Sequence, residues 1–156
     1  MHPNAQLLTR FYTAFQNRDG AAMAACYAAN VEFSDPVFPA LKGEAAGDMW
    51  RMLTEAGKDL RIEFRDVQAD DRTGRAHWEA WYTFSATGKK VHNIIDATFE
   101  FEGGRIVKHT DSFSFSRWAG QALGLMGKLL GWTGFLQRKV QGMAAKGLRR
   151  FQRGPA

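Results

Sequence analysis

The chain is poor in cysteine, in proline and, near its end, in acidic residues, and each shortage excludes a class of protein. The single cysteine, Cys26, allows neither an internal disulfide nor a thiolate cluster for zinc, so a packed core must hold the fold. Four prolines among 156 residues argue against a disordered proline-rich chain. The uncharged stretch at 118–127 is too short to cross a bilayer, and the N-terminus lacks a signal-peptide pattern. We therefore expect a soluble, cytoplasmic protein.

Acidic residues are missing from the last part of the chain. The last one is Asp111, and eight lysines and arginines follow from Arg117 onward without any acid. The preceding part carries 13 basic and 16 acidic residues, so the net charge of +5 comes from the C-terminal segment alone. No aromatic stacking pattern is interleaved with these basic residues, and we do not expect nucleic acid as a partner.

Metal and cofactor motifs are also lacking. The four histidines, His2, His77, His92 and His109, do not have the spacing of a ligand set. No glycine-rich phosphate loop precedes a predicted helix. We therefore expect no metal and no nucleotide or flavin cofactor.

The spacing of apolar residues changes once along the chain. Helical spacing predicts helices at 3–18, 21–29 and 44–57. From residue 60 to residue 115 apolar residues alternate with polar ones, and glycine-containing turns divide this stretch into four antiparallel strands. Helices followed by a meander indicate an α+β domain over residues 1–116, in which a curved, cone-shaped sheet wraps around the N-terminal helices.

The inward face of such a sheet would be aromatic. The sequence leaves open whether the interior is a filled core or an apolar cavity at the wide end of the cone. A cavity would suit a small hydrophobic molecule. The residues predicted to line it are Phe15, Trp50, Phe64, Trp78, Tyr82, His92 and Phe113.

Three segments of the sequence resemble those of a known superfamily. They are Phe11-Tyr12-x-Ala14-Phe15, Val31-Glu32-Phe33-x-Asp35-Pro36 and the run from Phe99 to Val107. Together with the order of elements, they resemble the nuclear transport factor 2-like superfamily, in its SnoaL-like and ketosteroid isomerase-like branch. The resemblance covers roughly Gln6 to Trp118. It implies the cystatin-like cone fold and a homodimer, but this superfamily hosts several chemistries and also proteins without a known reaction.

The resemblance to ketosteroid isomerase implies three candidate catalytic residues. In that enzyme an aspartate base works with a tyrosine and a neutral aspartic acid that hold the enolate oxygen. Here Tyr12 and Asp35 occupy the positions of the tyrosine and the base, and Asp96 is the candidate for the neutral acid. Asp96 precedes Phe99 by three residues, so both face inward only if a β-bulge lies near Ala97; alternatively, His92 and Asp96 face the pocket together.

A second acidic candidate lies on the last predicted strand. His109 and Asp111 share one face of that strand, and such a pair can form an acid-base dyad. This segment is similar to the last strand of SnoaL-like cyclases and of limonene epoxide hydrolase-like enzymes, which implies an alternative of water activation by Asp111. The Arg-x-Asp that those hydrolases need on an earlier strand is replaced by His77-Trp78-Glu79.

The segment 117–156 adds basic, apolar-rich chain to the family domain. A turn at 131–134 predicts two helices. We expect them to pack on the body or on a dimer partner, while contact with an anionic membrane surface is a less favoured alternative.

The sequence supports two functional hypotheses. The first is a cofactor-independent isomerase or cyclase that uses carboxylate acid-base chemistry on a small hydrophobic carbonyl compound. The second is a non-catalytic ligand-binding or dimeric interaction module of the same fold, in which Asp35 only caps a turn and His109 is sealed in the core with Asp111.

Overall fold

Three helices form the N-terminal layer of the computed structural model, which describes residues 1–154. They are α1 (Pro3–Gln16), α2 (Gly20–Ala25) and α3 (Glu44–Ala56). Proline suits the first turn of α1 because its missing N–H has no helical partner there. The side chain of Asp19 caps the first turn of α2. The second predicted helix is too long: α2 ends at Ala25, because the chain pairs with another strand from Tyr27 onward.

Six strands form one curved, unclosed sheet, which confirms the predicted α+β fold. Its order is β2-β1-β6-β5-β4-β3. The last four strands form the predicted antiparallel meander, and β1 lies parallel to β6. The strands are β1 (Tyr27–Ser34), β2 (Leu41–Lys42), β3 (Arg61–Ala69), β4 (Thr73–Phe84), β5 (Lys89–Glu102) and β6 (Arg105–Ser112).

The main core lies between the inward face of the sheet and helices α1 and α3. Aromatic rings fill its centre. Phe11 of α1 is fully buried, and its ring lies within 5.8 Å, centroid to centroid, of Tyr12, Tyr27, Trp50 and His109. Close packing of rings from helices and strands fixes how α1 and α3 sit in the cone.

The C-terminal segment forms three helices rather than the predicted two. They are α4 (Phe115–Ala122), α5 (Leu125–Leu130) and α6 (Gly134–Arg153). The strand predicted to reach residue 115 ends at Ser112, because the side chain of Ser114 caps the backbone of Arg117 and starts α4.

The C-terminal helices pack on the body of their own chain. Trp118 of α4 contacts the ring of Phe84 and belongs to a second apolar cluster that includes Val91 of β5 and Leu136 of α6. Leu148 of α6 joins the main core. Gln137 and Gln141 of α6 both donate to the carbonyl oxygen of Pro36, at 3.1 and 3.0 Å. Among the helices of residues 1–154, none is long and apolar enough to span a membrane.

Candidate functional site

A chain of hydrogen bonds runs through the buried interior. The indole N–H of Trp50 donates to the hydroxyl of Tyr27 at 2.7 Å, and that hydroxyl lies 2.8 Å from Nδ1 of His109. Nε2 of His109 lies 2.8 Å from Oδ1 of Asp111, which also accepts the indole N–H of Trp78 at 3.2 Å. His109 and Asp111 are 0% and 3% exposed, so bulk water does not replace these bonds.

The donors at the two ends fix the direction of this chain. An indole can only donate, so the oxygen of Tyr27 accepts from Trp50; with a neutral imidazole, the phenol proton then goes to Nδ1 of His109. The imidazole then carries its proton on Nε2 and donates it to Asp111. The network thus holds the imidazole in one tautomer and one orientation against the carboxylate.

Two buried oxygens are left without a hydrogen-bond partner in the described part of the chain. They are Oδ2 of Asp111 and the hydroxyl oxygen of Tyr12. Tyr12 is 0% exposed, and its ring stacks on Phe64 with centroids 5.4 Å apart. Burial raises the pKa of Tyr12 well above its usual value, and the charge of Asp111 raises it further. Tyr12 therefore keeps its proton at neutral pH and can donate it in a hydrogen bond.

Asp35 follows the end of β1 and enters a tight turn. Its Oδ1 accepts the backbone N–H groups of Val37 and Phe38 at 2.7 and 2.6 Å. Burial raises the pKa of Asp35 to about 7; the bond from Phe38 opposes this shift, and the charge of Asp111 adds to it. Asp35 is therefore both the turn former that its position predicts and a group that exchanges protons near neutral pH.

A tyrosine and a tryptophan form a second hydrogen-bonded pair at the end of the interior near Asp35. The hydroxyl of Tyr82 accepts the indole N–H of Trp118 at 2.7 Å. Burial raises the pKa of Tyr82, the bond from Trp118 lowers it, and the charge of Asp35 raises it. Helix α4 thus contributes to this end of the interior.

Asp96 and His92 lie on the outer face of the sheet, so the prediction that they face the pocket is wrong. The side chain of Asp96 is 79% exposed, and its carboxylate lies 2.9 Å from Nδ1 of His77. His92 stacks on Trp81 and lies 2.7 Å from Oε1 of Glu79. Strand β5 pairs with β4 in unbroken register along its length and has no bulge at Ala97–Thr98, so side chains alternate regularly.

These outer-face groups form an ion cluster of their own. Glu79 accepts from His77 and His92, and these hydrogen bonds hold its pKa at about 2. Burial lowers the pKa of His77, but its bonds to Asp96 and Glu79 dominate and raise it above the usual value. The cluster lies across the sheet from Asp111.

The other predicted lining residues all lie on the inner side. Three of them, Phe15, Trp50 and Trp78, are buried in the ring packing of the main core. The remaining three, Phe64, Tyr82 and Phe113, are partly buried. Two surface depressions lie elsewhere, one on the outer face beside Arg75 and Lys108 and one beside Asp19 and Arg51. The interior around the dyad is thus occupied largely by rings.

Tyr27 is the member of the buried hydrogen-bond network that the sequence did not indicate. The helix predicted at 21–29 included it, whereas it is the first residue of β1 and is buried inside the cone. The register between β1 and β6 shifts between Tyr27 and Glu32, and Ala29 is exposed, so the alternation of buried and exposed residues is interrupted between Tyr27 and Val31. The sequence therefore held no strand signal at this position.

Among residues 1–154, no three histidine, cysteine or acidic side chains are grouped so that they could hold a metal ion. The chemistry available to the interior is that of carboxylates, an imidazole and phenols.

The curved sheet, the helices that fill it and the polar groups held inside place the chain in the nuclear transport factor 2-like class. The chain belongs to the SnoaL-like family, since the model of the SnoaL-like domain matches residues 8–109. No curated protein sequence matches it significantly.

Solved structures share the fold at low sequence identity. A candidate polyketide cyclase from Xanthomonas campestris is 22% identical with a TM-score of 0.64, over 76% of this chain and 96% of that one. An epoxide hydrolase from M. tuberculosis described as LEH-like is 16% identical with a TM-score of 0.60, over 86% and 95%. An NTF2-like protein of unknown function from Burkholderia pseudomallei is 19% identical with a TM-score of 0.62, over 72% and 92%.

Proposed function

We propose that the protein is a cofactor-independent isomerase or cyclase that moves a proton on a small hydrophobic carbonyl compound. The observation that carries this proposal is the pair of buried oxygens without partners, on Tyr12 and Asp111, in an interior lined with aromatic rings. Buried polar atoms are nearly always paired, and an exception calls for an explanation. A bound carbonyl compound would supply the missing partner for Tyr12.

Asp35 is the proposed base. As a carboxylate it takes a proton from the carbon next to the carbonyl, and the C–H electron pair becomes the double bond of an enolate while the carbonyl π pair moves to oxygen. A pKa of about 7 lets Asp35 accept the proton and return it to a different carbon at neutral pH. The two backbone N–H groups on its Oδ1 hold the carboxylate in place.

Tyr12 is the proposed donor to the enolate oxygen. Its raised pKa keeps the phenol protonated, and the absence of an internal partner in the described chain leaves the O–H free for a ligand. A donor fixed in an apolar, ring-lined interior stabilises the developing oxyanion more than water would.

Asp111 and His109 complete the site as a positioned polar pair. Asp111 raises the pKa of Asp35 through its charge, and its Oδ2 can accept from a substrate hydroxyl. His109 holds the carboxylate through Oδ1. An alternative in which Asp111 activates water on an epoxide is less favoured, because His77 and Glu79 of the required earlier strand point to the outer face.

The non-catalytic hypothesis makes opposite predictions for the same residues. Ring packing around the dyad favours it, because a substrate needs space that the interior rings occupy. Under this hypothesis Asp35 only caps its turn, and replacing it by the isosteric asparagine, whose amide oxygen can still accept both backbone N–H groups, would leave ligand binding near that of the wild type.

The test measures conversion of an activated β,γ-unsaturated ketone to its conjugated isomer by ultraviolet absorbance. We expect D35N and Y12F to lower kcat/KM by about 100-fold or more, in the range of lost general bases and oxyanion donors. For the wild type we expect kcat/KM to rise with pH through about 7, as Asp35 ionises. The pH profile of D35N should lack this rise.

The matched control is D96N, which alters an acid on the outer face without touching the interior. It should retain wild-type turnover. Absence of turnover in the wild type over a panel of small ketones, or equal turnover in D35N, Y12F and wild type, would reject the proposed chemistry in favour of the binding module.

A further inference from the structure

Helix α5 and the turn after it present large apolar side chains to solvent. Trp132 is 79% exposed and Leu125 is 72% exposed. On α5 the apolar residues lie within roughly 140° of one another at about 100° per residue, so they share one side of the helix. We call this surface the outer patch; its members are Leu125, Met126, Leu129, Leu130, Trp132 and Phe135.

The packing side of α5 explains why these side chains point outward. Gly127 is buried against α4, where a Cβ atom would overlap the carbonyl oxygen of Ala119. Gly131 is buried too, and it also approaches Ala119. Because α5 rests on α4 through glycine backbone, its leucines cannot contribute to the core. This reverses the usual amphipathic arrangement, in which the bulky apolar side packs inward.

Exposed basic side chains lie on both helices that carry members of the outer patch. Lys128 lies on α5, and the outward side of α6 carries a basic row while its opposite side buries Leu136 and Leu148. From Arg117 to the end of the sequence there is no acid to neutralise these charges. The exposed members of the row are Arg138, Lys139, Lys146, Arg149, Arg150 and Arg153.

The positive charge of the C-terminal segment indicates which kind of partner covers the outer patch. A second copy of the chain docked patch to patch would bring two segments without acids into contact, and their like charges would repel. An anionic bilayer instead offers an apolar interior for the leucines and negative headgroups for the lysines and arginines. Exposed tryptophan is also the residue typical of the membrane–water boundary.

We propose that the outer patch docks on the surface of anionic lipid membranes. The apolar side chains of α5 enter the boundary between headgroups and acyl chains, and the basic row of α6 lies along the headgroups. The six-residue α5 and the strongly charged α6 lie in the interface and do not cross it.

The test is co-sedimentation of the full chain with vesicles of equimolar phosphatidylcholine and phosphatidylserine, compared with vesicles of phosphatidylcholine alone. We expect binding to the anionic vesicles only, with about a tenfold loss when salt rises from about 0.1 M to about 0.5 M. The double variant W132A/F135A and the double variant R138E/K139E should each lose binding by about tenfold or more.

Control variants make the same kind of change, loss of apolar side chains or reversal of charge, outside the outer patch. L53A/I94A removes two exposed apolar side chains outside the patch, and K42E/K58E makes the same charge change on the body. Both should bind like the wild type. Fluorescence of Trp132, obtained as the difference between wild type and W132F, should shift to shorter wavelength on binding.

Three results would overturn the proposal. The first is equal binding to neutral and anionic vesicles. The second is an equal loss of binding in the patch variants and the control variants. The third is a salt-insensitive dimer, observed by sedimentation equilibrium, that dissociates in W132A/F135A. The last would assign the patch to self-association instead.

Discussion

Two buried tyrosines allow the stability and the function of the interior to be separated with one chemical change. Tyr12 and Tyr27 are 0% and 7% exposed, and tyrosine to phenylalanine removes only the hydroxyl from each. The hydroxyl of Tyr27 links Trp50 to His109, whereas that of Tyr12 has no partner within the described residues. The same substitution should therefore have opposite consequences for folding.

The expected magnitudes follow from the bonds that each change removes. Y27F leaves the indole N–H of Trp50 and Nδ1 of His109 unpaired in the core, at about 1–3 kcal/mol for each orphaned group. The two groups together give about 2–6 kcal/mol, and we expect the free energy of unfolding to fall by about 2–4 kcal/mol, because single substitutions rarely cost more. Y12F removes a buried hydroxyl that satisfies nothing, so we expect a change between zero and a gain of about 1 kcal/mol.

Urea unfolding, followed by tryptophan fluorescence and by circular dichroism, measures both variants. Y27F should lower the midpoint by about 1–2 M urea without changing the slope, and Y12F should leave the midpoint at or above that of the wild type. Despite its stability, Y12F should have a lower kcat/KM for ketone isomerisation than the wild type, because it lacks the proposed oxyanion donor. A loss of stability in Y12F equal to that in Y27F would refute the assignment of its hydroxyl as an unpaired group.

Two further predictions concern Asp35 and the glycines of the C-terminal helices. Because the pKa of Asp35 rises from 3.8 to about 7 on folding, the folded state binds its proton more tightly, so the contribution of this group to stability is greatest below about pH 4 and falls as pH rises to about 7. The loss from this group is at most about 4 kcal/mol, and D35N should remove it from the pH dependence of unfolding. G127A should destabilise the protein by about 1–3 kcal/mol in thermal unfolding, because its methyl group overlaps the carbonyl oxygen of Ala119. G142A should stabilise α6 by about 0.5–1 kcal/mol, since nothing lies within 4 Å of its new methyl group, and a loss in G142A matching that in G127A would contradict this explanation.

Several features of the site follow from local sequence. His109 and Asp111 are two residues apart on a strand, so the pleat puts them on one face whatever the rest of the fold does. Asp35 precedes a proline and takes up the turn that this dipeptide favours. Regular alternation also puts Asp96 and Phe99 on different faces of the sheet, as the structure shows. The prediction that both face inward required a β-bulge that the strand does not have.

Other features depend on contacts between distant parts of the chain. Tyr27 reaches His109 across 82 positions of sequence, and the alternation of buried residues is interrupted between it and Val31, so the predicted helix extended over it. The outward orientation of α5 depends on the close approach of Gly127 to α4, which helical periodicity does not reveal. In both cases an approach between two backbones decided the outcome.

The sequence alone determined the class of fold, the alternating faces of the meander and the concentration of positive charge in the last helices. These properties depend on the period of apolar residues and on composition, which are local. Only the tertiary structure decided which polar atoms meet inside the cone, that Asp96 and His92 face outward, and that the apolar side of α5 is left uncovered. The pairing of polar atoms and the burial of side chains depend on packing between segments far apart in the chain, so a local sequence pattern does not predict them.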